Sequence, residues 1–266
     1  MKPIAIIQHE ADVEPGNFTQ HLQRRGRPFE VIRVYAGDAI PADATAYAGL
    51  CSLGGNMSVA TDGPAVSDAR SAQAAQSAQP DAALPWLEPE LALLRDADAR
   101  GVPVIGHCLG GQLLARALGG DVKRAPHLEM GWGRVSADDA ALAREWLGED
   151  ADGVEFFQWH SDAFDLPPGA QRILSSAWCA NQAYVIPRDG YAHVGMQFHI
   201  EMTPELVRLW AADPKAAEEG YAERRRTGVP AVQSPEQMVS DVDARAARMY
   251  RVAAHLYDRW LSGVRA

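Results

Sequence analysis

Cysteine is scarce in this chain, and its few copies lie far apart. The 266 residues include three cysteines, Cys51, Cys108 and Cys179. An odd number with wide spacing fits neither a disulfide framework nor a zinc site built on closely paired cysteines. We therefore expect reduced thiols and a cytoplasmic protein.

Basic residues and long hydrophobic runs are also in short supply. Lysine and arginine total 25 against 35 aspartates and glutamates, which gives a formal net charge of -10. Because such a surface repels phosphate groups, we expect neither nucleic acid nor an anionic membrane as a partner. No apolar run approaches the roughly 20 residues that a membrane-spanning helix needs. The opening segment MKPIAIIQHE is typical of a first strand and lacks the cleavage site of a signal peptide.

The first part of the chain alternates between strand-like and helix-like segments. Apolar segments at 4–8, 29–35, 47–55 and 102–106 are typical of buried strands. Helix-like segments lie between them, and two of these end on a glycine, which is a helix-stop signal. The alternation predicts an α/β fold with an open, mostly parallel sheet flanked by helices.

The second part has a different pattern. Between residues 129 and 199, five strand-like segments follow one another with few helices between them, which predicts a partly antiparallel extension of the sheet. Thr203 before Pro204 is typical of a helix start, as is Ser234 three residues before Gln237. A long amphipathic helix follows, and its apolar stripe is expected to pack either on the sheet or on a second copy of the chain. The sequence is therefore compatible with both a monomer and a homo-oligomer. The stripe comprises Val239, Val242, Met249, Val252, Leu256 and Trp260.

We interpret residues 1–266 as a single domain with two additions. The stretch at about 62–85 is rich in Ala, Ser and Gln and poor in large apolar residues, so it is predicted to be an inserted loop. Residues from about 213 to 266 are predicted to form a C-terminal helical extension.

Cys108 lies in the segment VPVIGHCLGGQLLARALGG, between a predicted strand and a predicted helix. A helix start favours a thiolate and leaves the backbone N–H of Leu109 free to face a developing oxyanion. Gly106 and Gly110 permit a tight turn like the nucleophile elbow of serine hydrolases, with sulfur in place of oxygen. Taken alone, the segment fits a nucleophile and a buried small hydrophobic residue about equally well.

The segment VGMQFHIEMTPE supplies a candidate base and the group that would orient it. His199 ends an apolar run and Glu201 follows two residues later, on the same side of an extended chain. A carboxylate on one ring nitrogen fixes the tautomer and leaves the other nitrogen to face the thiol. A predicted nucleophile and a His-x-Glu pair, both at strand ends, indicate a Cys-His-Glu triad.

These segments carry a family resemblance. GHCLGGQLLA and GMQFHIEMTPE resemble the two signature motifs of class I, or triad-type, glutamine amidotransferases, and SLGGNMSV resembles the glycine pair of the family's oxyanion hole. The resemblance covers about residues 1–210 and is closest to the stand-alone branch related to the amidotransferase domain of GMP synthase. It implies a flavodoxin-like fold with an antiparallel extension.

The resemblance also implies an activity and a set of site residues. Cys108 would attack the side-chain amide of glutamine, His199 would act as base and then acid, and Glu201 would orient it. A γ-glutamyl thioester would form, with no cofactor and no metal, and ammonia would pass to an acceptor in trans. The remaining implied site residues are Gly55 and Leu109 for the oxyanion, and Gln112 and Gly54 for the substrate.

Some residues depart from the family pattern or stay ambiguous. Asn56 and Ile200 stand where the family usually has proline, which affects loop shape more than chemistry. His160 either lines the substrate site or is a structural histidine at a strand end, and Asp162 is a similar case. A metal site that adds His193 to His160, His199 and Glu201 does not have the spacing of a zinc motif.

Several functions remain open at this point. No synthase domain follows in the chain, so an ammonia acceptor would be a separate protein, and the inserted stretch would be a lid or a partner-docking loop. The alternatives are a γ-glutamyl peptide or amide hydrolase, a Cys-His-Asp enzyme of the α/β-hydrolase type, and a non-catalytic binding protein on the same fold. The close His-x-Glu pair argues against the α/β-hydrolase, whose acid usually precedes the histidine by a long interval.

Overall fold

The computed structural model describes residues 1–61, 84–149 and 153–265. Within these residues, eight strands form a central sheet in the order β2-β1-β3-β4-β10-β9-β8-β6, and β5 pairs with β7 in a separate antiparallel ribbon. The predicted loop at 62–85 lies outside the described residues except for its last two. The strands are β1 Ile4–Gln8, β2 Phe29–Arg33, β3 Gly49–Ser52, β4 Val104–His107, β5 Val122–Arg134, β6 Ser136–Ala137, β7 Glu155–Phe164, β8 Gln171–Ser175, β9 Ala183–Arg188 and β10 Tyr191–Met196.

The sheet is parallel from β2 to β10 and antiparallel from β10 to β6. This confirms the predicted α/β fold with an antiparallel extension. Because successive strand residues face opposite sides, Ile4 and Ile6 enter one hydrophobic core while Ala5 and Ile7 enter a second.

Helices cover both faces of the sheet. In the described part of the chain, none of them is long and apolar enough to span a membrane. The helices are α1 Gly16–Arg24, α2 Leu87–Arg100, α3 Leu109–Ala117, α4 Ala140–Leu147, α5 Pro204–Ala211, α6 Pro214–Thr227, α7 Pro235–Val239 and α8 Val242–Leu261.

The apolar stripe of α8 packs within the chain. Met249, Leu256 and Trp260 are buried in the same core as Ile4 and Ile6 of β1. The stripe therefore finds its partner on the sheet and does not need a second copy of the chain. Val239 is the exception, since it ends α7 and is partly exposed.

Two local predictions differ from the structure, and one helix was not located from the sequence. The second part of the chain contains α4, whose start is capped by the Asp139 side chain accepting from the N–H groups of Ala141 and Leu142. Strand β5 begins at Val122, well before the predicted segment. His199 lies three residues beyond the end of β10, in an isolated antiparallel bridge with Phe157, instead of ending the strand.

Gly110, in the first turn of α3, lies against the end of β3. A Cβ added there would overlap the backbone carbonyl of Ser52, and backbone atoms cannot rotate away as a side chain can. We expect Gly110→Ala to lower the free energy of unfolding, measured by urea denaturation, by about 3 kcal/mol or more, the upper part of the range for overpacking.

Gly101→Ala is a matched control for this substitution. Gly101 has a φ of 72°, and its added Cβ would approach no atom closer than 3.6 Å. The control is expected to lose only about 1 kcal/mol, from backbone strain. Equal losses in the two variants would contradict the close packing of α3 on β3.

Candidate active site

Cys108 occupies a strained turn between β4 and α3. Its φ of 49° and ψ of -109° are unusual for a residue with a side chain. The turn is held because the Cys108 N–H donates to the Met196 carbonyl at 2.8 Å, at the end of the neighbouring β10. The thiol therefore lies at the amino end of α3 and at the carboxyl edge of the parallel strands, where α/β proteins place their ligands.

His199 and Glu201 converge on this cysteine from the segment after β10. The Nδ1 atom of His199 donates to Glu201 Oε1 at 2.7 Å, and both side chains are buried. Burial lowers the pKa of His199, but the charges of Glu201 and Cys108, and hydrogen bonds to both, outweigh it and raise the pKa to about 10. The structure thus brings the three predicted triad residues together and favours a protonated imidazole beside the sulfur.

The contact between His199 and Glu201 forms where the chain turns after His199, and not along the extended chain assumed from the sequence. The His199 N–H donates to Phe157 O of β7 at 2.8 Å. Asn17 at the start of α1 holds the rest of the turn, because its backbone N–H donates to Glu201 O and its side chain donates to Ile200 O, both at 2.8 Å. Ile200 is fully buried, so the residue that replaces the family's usual proline packs into the core.

A second histidine faces the carboxylate of Glu201. The Nε2 atom of His107 lies 4.0 Å from Glu201 Oε2 and 3.3 Å from the Tyr257 hydroxyl. Burial raises the pKa of Glu201, but His199 and His107 outweigh it, so the pKa lies below its usual value and the carboxylate stays ionised. Burial lowers the pKa of His107. His107 is fully buried, and no pattern in the sequence indicates its contact with Glu201.

The predicted oxyanion residues lie next to one another. A Cβ added to Gly55 would come within 2.9 Å of Cδ2 of Leu109. A Cβ added to Gly54 would lie 2.7 Å from Cε1 of His199, so the imidazole needs a glycine at this position. The Gly54 carbonyl accepts a hydrogen bond from Nδ1 of His9 at 3.1 Å, which anchors this loop.

Gln112 and Gln197 link the thiol to β7. The Nε2 atom of Gln112 donates to Asp162 O at 3.2 Å and to Gln197 Oε1 at 3.3 Å. The Nε2 atom of Gln197 lies 3.7 Å from Cys108 Sγ. Sequence reasoning missed Gln197, although its place two residues before His199 in the second signature motif was a usable signal.

His160 makes a hydrogen bond through one ring nitrogen, and its other ring nitrogen lies near a buried carboxylate without a hydrogen bond. Its Nδ1 donates to Asp162 O at 3.1 Å, and its Nε2 lies 3.2 Å from Oε2 of the buried Glu129. Asp162 binds Ser58 and Arg124 through its carboxylate. These contacts favour a structural role for His160, which shapes the strand that carries Trp159 past the thiol.

Two metal arrangements can be judged from their surroundings. His193 accepts from the Val104 N–H at 3.0 Å and contacts Asp98, so the structure does not bring it to the triad. Ligand atoms of Glu129, His160 and Cys179 lie within 4.8 Å of one another. However, Glu129 already accepts from Ser176 and Gln182, and burial followed by the charge of Glu129 raises the pKa of Cys179 to about 12. The structure does not assemble the four-residue arrangement considered from the sequence, because His193 lies away from the triad.

Comparison with known proteins agrees with this geometry. The family model described as glutamine amidotransferase class-I matches residues 17–208. The chain belongs to this family. It is a cysteine-dependent glutamine amide hydrolase, as the resemblance implied.

The aligned share of each protein differs among individual members of the amidotransferase family. The glutamine amidotransferase-like protein YfeJ of Salmonella typhimurium is 28% identical over 206 residues, which are 77% of each chain. A GMP synthase (glutamine-hydrolysing) of Thermus thermophilus is 35% identical over 111 residues, which are 41% of this chain but 21% of that protein. A glutamine amidotransferase of Methylobacillus flagellatus, known from its crystal structure, is 41% identical with a TM-score of 0.85, covering 100% of this chain and 96% of its own.

Proposed function

We propose that this amidotransferase hydrolyses the side-chain amide of glutamine through Cys108, His199 and Glu201, and releases ammonia for an acceptor in trans. The observation that carries the proposal is the 2.7 Å hydrogen bond between His199 and Glu201 on an imidazole that also interacts with the Cys108 sulfur. A nucleophile, a base and an orienting acid in this arrangement suit acyl transfer.

The reaction proceeds in two halves. The Cys108 sulfur attacks the amide carbon, while the backbone N–H groups of Gly55 and Leu109 stabilise the oxyanion. Removing one such oxyanion donor raises the activation free energy by roughly 3 to 4 kcal/mol. Protonated His199 gives its proton to the departing nitrogen, the C–N bond breaks, and a γ-glutamyl thioester remains. Water, deprotonated by His199, then cleaves the thioester to glutamate and the free thiol.

Residues around the triad would position the substrate. Gln112 would hold the α-amino acid end of glutamine, and Gly54 would leave room for the imidazole. His160 would act indirectly, by fixing the strand β7 that passes the thiol. These roles are assigned from the family pattern and from the positions of the residues. The role of Gln112 is also supported by its hydrogen bonds to Asp162 and Gln197, which fix the orientation of its amide.

The acceptor would be a separate protein, and the enzyme would work in the cytoplasm as a single domain with a C-terminal helical extension. A relative in Sulfolobus acidocaldarius, 34% identical over 101 residues, is named as one subunit of a glutamine-hydrolysing GMP synthase. This name supports an acceptor on a second chain here. The match with the Thermus GMP synthase covers 21% of that protein, so the rest of its activity is not transferred.

Mass spectrometry of the acid-quenched enzyme tests the proposal. During turnover of glutamine we expect a γ-glutamyl adduct on the peptide that contains Cys108, and stoichiometric glutamate and ammonia. Cys179→Ala should show the same adduct, since its thiol lies outside the site. Ammonia release with an adduct on another residue would contradict the triad, and binding of glutamine without any adduct would favour a non-catalytic protein.

A further inference from the structure

A cavity of about 330 Å³ opens beside the triad. Its apolar lining comprises Val13, Trp159, Leu209, Trp210, Ala212 and Pro214. A volume of this size falls within the range of small-molecule sites. The ammonia released from glutamine has one non-hydrogen atom, so it would fill little of this volume.

Two residues of the cavity wall lie against the triad. The Trp210 ring packs edge-on against His199, with centroids 4.9 Å apart and planes at 82°. The carbonyl oxygen of Trp159 lies 3.8 Å from Cys108 Sγ. Because His199 gives its proton to the departing nitrogen, a substituent on that nitrogen would extend into this cavity.

The cavity wall suits an apolar substituent. The rings of Trp159 and Trp210 meet in a T-shaped pair at 5.5 Å. Leu209, on α5, is 54% exposed, which is high for a large apolar side chain. An alkyl or aryl group against these residues would remove their apolar surface from water.

The same wall disfavours a negatively charged leaving group. Among the side chains that the structure describes around this cavity, none is positively charged, and Asp12 and Asp213 are both acidic. The carboxylate of an amino acid leaving group would lose hydration beside the apolar side chains of this wall, and it would lie near two acidic residues. The cavity should therefore favour γ-glutamyl amides of simple amines over γ-glutamyl peptides, whose leaving group carries a carboxylate.

We propose that this cavity is a leaving-group subsite and that the preferred substrates are γ-glutamyl amides of apolar primary amines. The inference rests on the proposed function, because it uses the same nucleophile. Cys108 attacks the γ-carbonyl carbon, the C–N bond breaks, and the amine leaves with the proton from His199. Water then cleaves the thioester, so one amide and one water give glutamate and one free amine.

Steady-state kinetics with glutamine, γ-glutamyl-benzylamide and γ-glutamyl-alanine test the subsite. We expect kcat/KM for the benzylamide to exceed those for glutamine and γ-glutamyl-alanine by about tenfold or more. Leu209→Asp should lower kcat/KM for the benzylamide by a similar factor. It should leave kcat/KM for glutamine within about twofold of the wild-type value. Val239→Asp places the same charge on another exposed apolar residue, outside the cavity, and should change neither value.

The possible results distinguish the two proposals. If glutamine is cleaved as well as or better than the benzylamide, or if γ-glutamyl-alanine is the best substrate, the subsite is wrong and the proposed triad chemistry still stands. If the benzylamide is preferred but Leu209→Asp leaves that preference intact, the cavity is not the subsite. If no compound is turned over and none acylates Cys108, both proposals fail.

Discussion

Cys108→Ala is expected to lower kcat for glutamine hydrolysis by at least about 10⁴-fold, as loss of a nucleophile does in comparable triads. Without the sulfur no thioester can form, and only binding and the oxyanion N–H groups remain to assist attack by water. Fold stability should change little, because alanine fills most of the small buried volume of the thiol. Ammonia release and thermal unfolding of the same preparation measure the two effects.

Cys179→Ala is the matched control for this variant. It also removes a buried thiol, but the Cys179 sulfur donates to Asn181 O and its high pKa keeps it protonated. We expect its kcat to stay within about twofold of the wild type, and a diazoketone analogue of glutamine to label Cys108 in it. Comparable losses in both variants would mean that the cysteines act through the fold, and the role of Cys108 as nucleophile would be wrong.

The parts of the fold that the sequence predicts are those with strong local signals. β1 is apolar up to its last residue, Gln8, and is buried on both faces, and Thr203 with Pro204 starts α5 where expected. Helix α4 was missed although Asp139 caps it and Ala143, Trp146 and Leu147 follow at helical spacing, because it is short and lies among strand-like segments. The two-stranded ribbon was missed because pairing of β5 with β7 depends on contacts between distant segments, which periodicity does not report.

The candidate site also contains residues that local sequence signals identify and contacts that they do not. Cys108 stands out because a strained turn needs its glycine neighbours, and His199 with Glu201 because two residues of complementary chemistry are adjacent in the chain. The contact of His107 with Glu201 and that of Trp210 with His199 join α5, β4 and the turn after β10 in space. No sequence spacing encodes these contacts, so they needed the three-dimensional arrangement.

Glu201→Gln is expected to reduce kcat by roughly 10³- to 10⁴-fold, the scale of a carboxylate-to-amide change behind a triad histidine. Glutamine keeps the shape of the side chain but removes the charge that, after burial, acts most strongly on the pKa of His199. That pKa should therefore fall from about 10. Since the leaving nitrogen needs protonated His199, the alkaline limb of the kcat profile should move to lower pH, as measured between about pH 6 and pH 11.

Asp98→Asn is the matched control, because Asp98 faces the buried His193 at 3.0 Å at the far end of β10 from the thiol. It makes the same chemical change beside a histidine outside the site, so kcat and its alkaline limb should be unchanged. If Glu201→Gln lowers kcat without moving the alkaline limb, then the carboxylate acts by holding the imidazole in place and its charge is not what keeps His199 protonated. If it changes neither, Glu201 is not part of the catalytic group, because an ionised, buried carboxylate at 2.7 Å cannot be neutralised without altering the proton affinity of the ring it contacts.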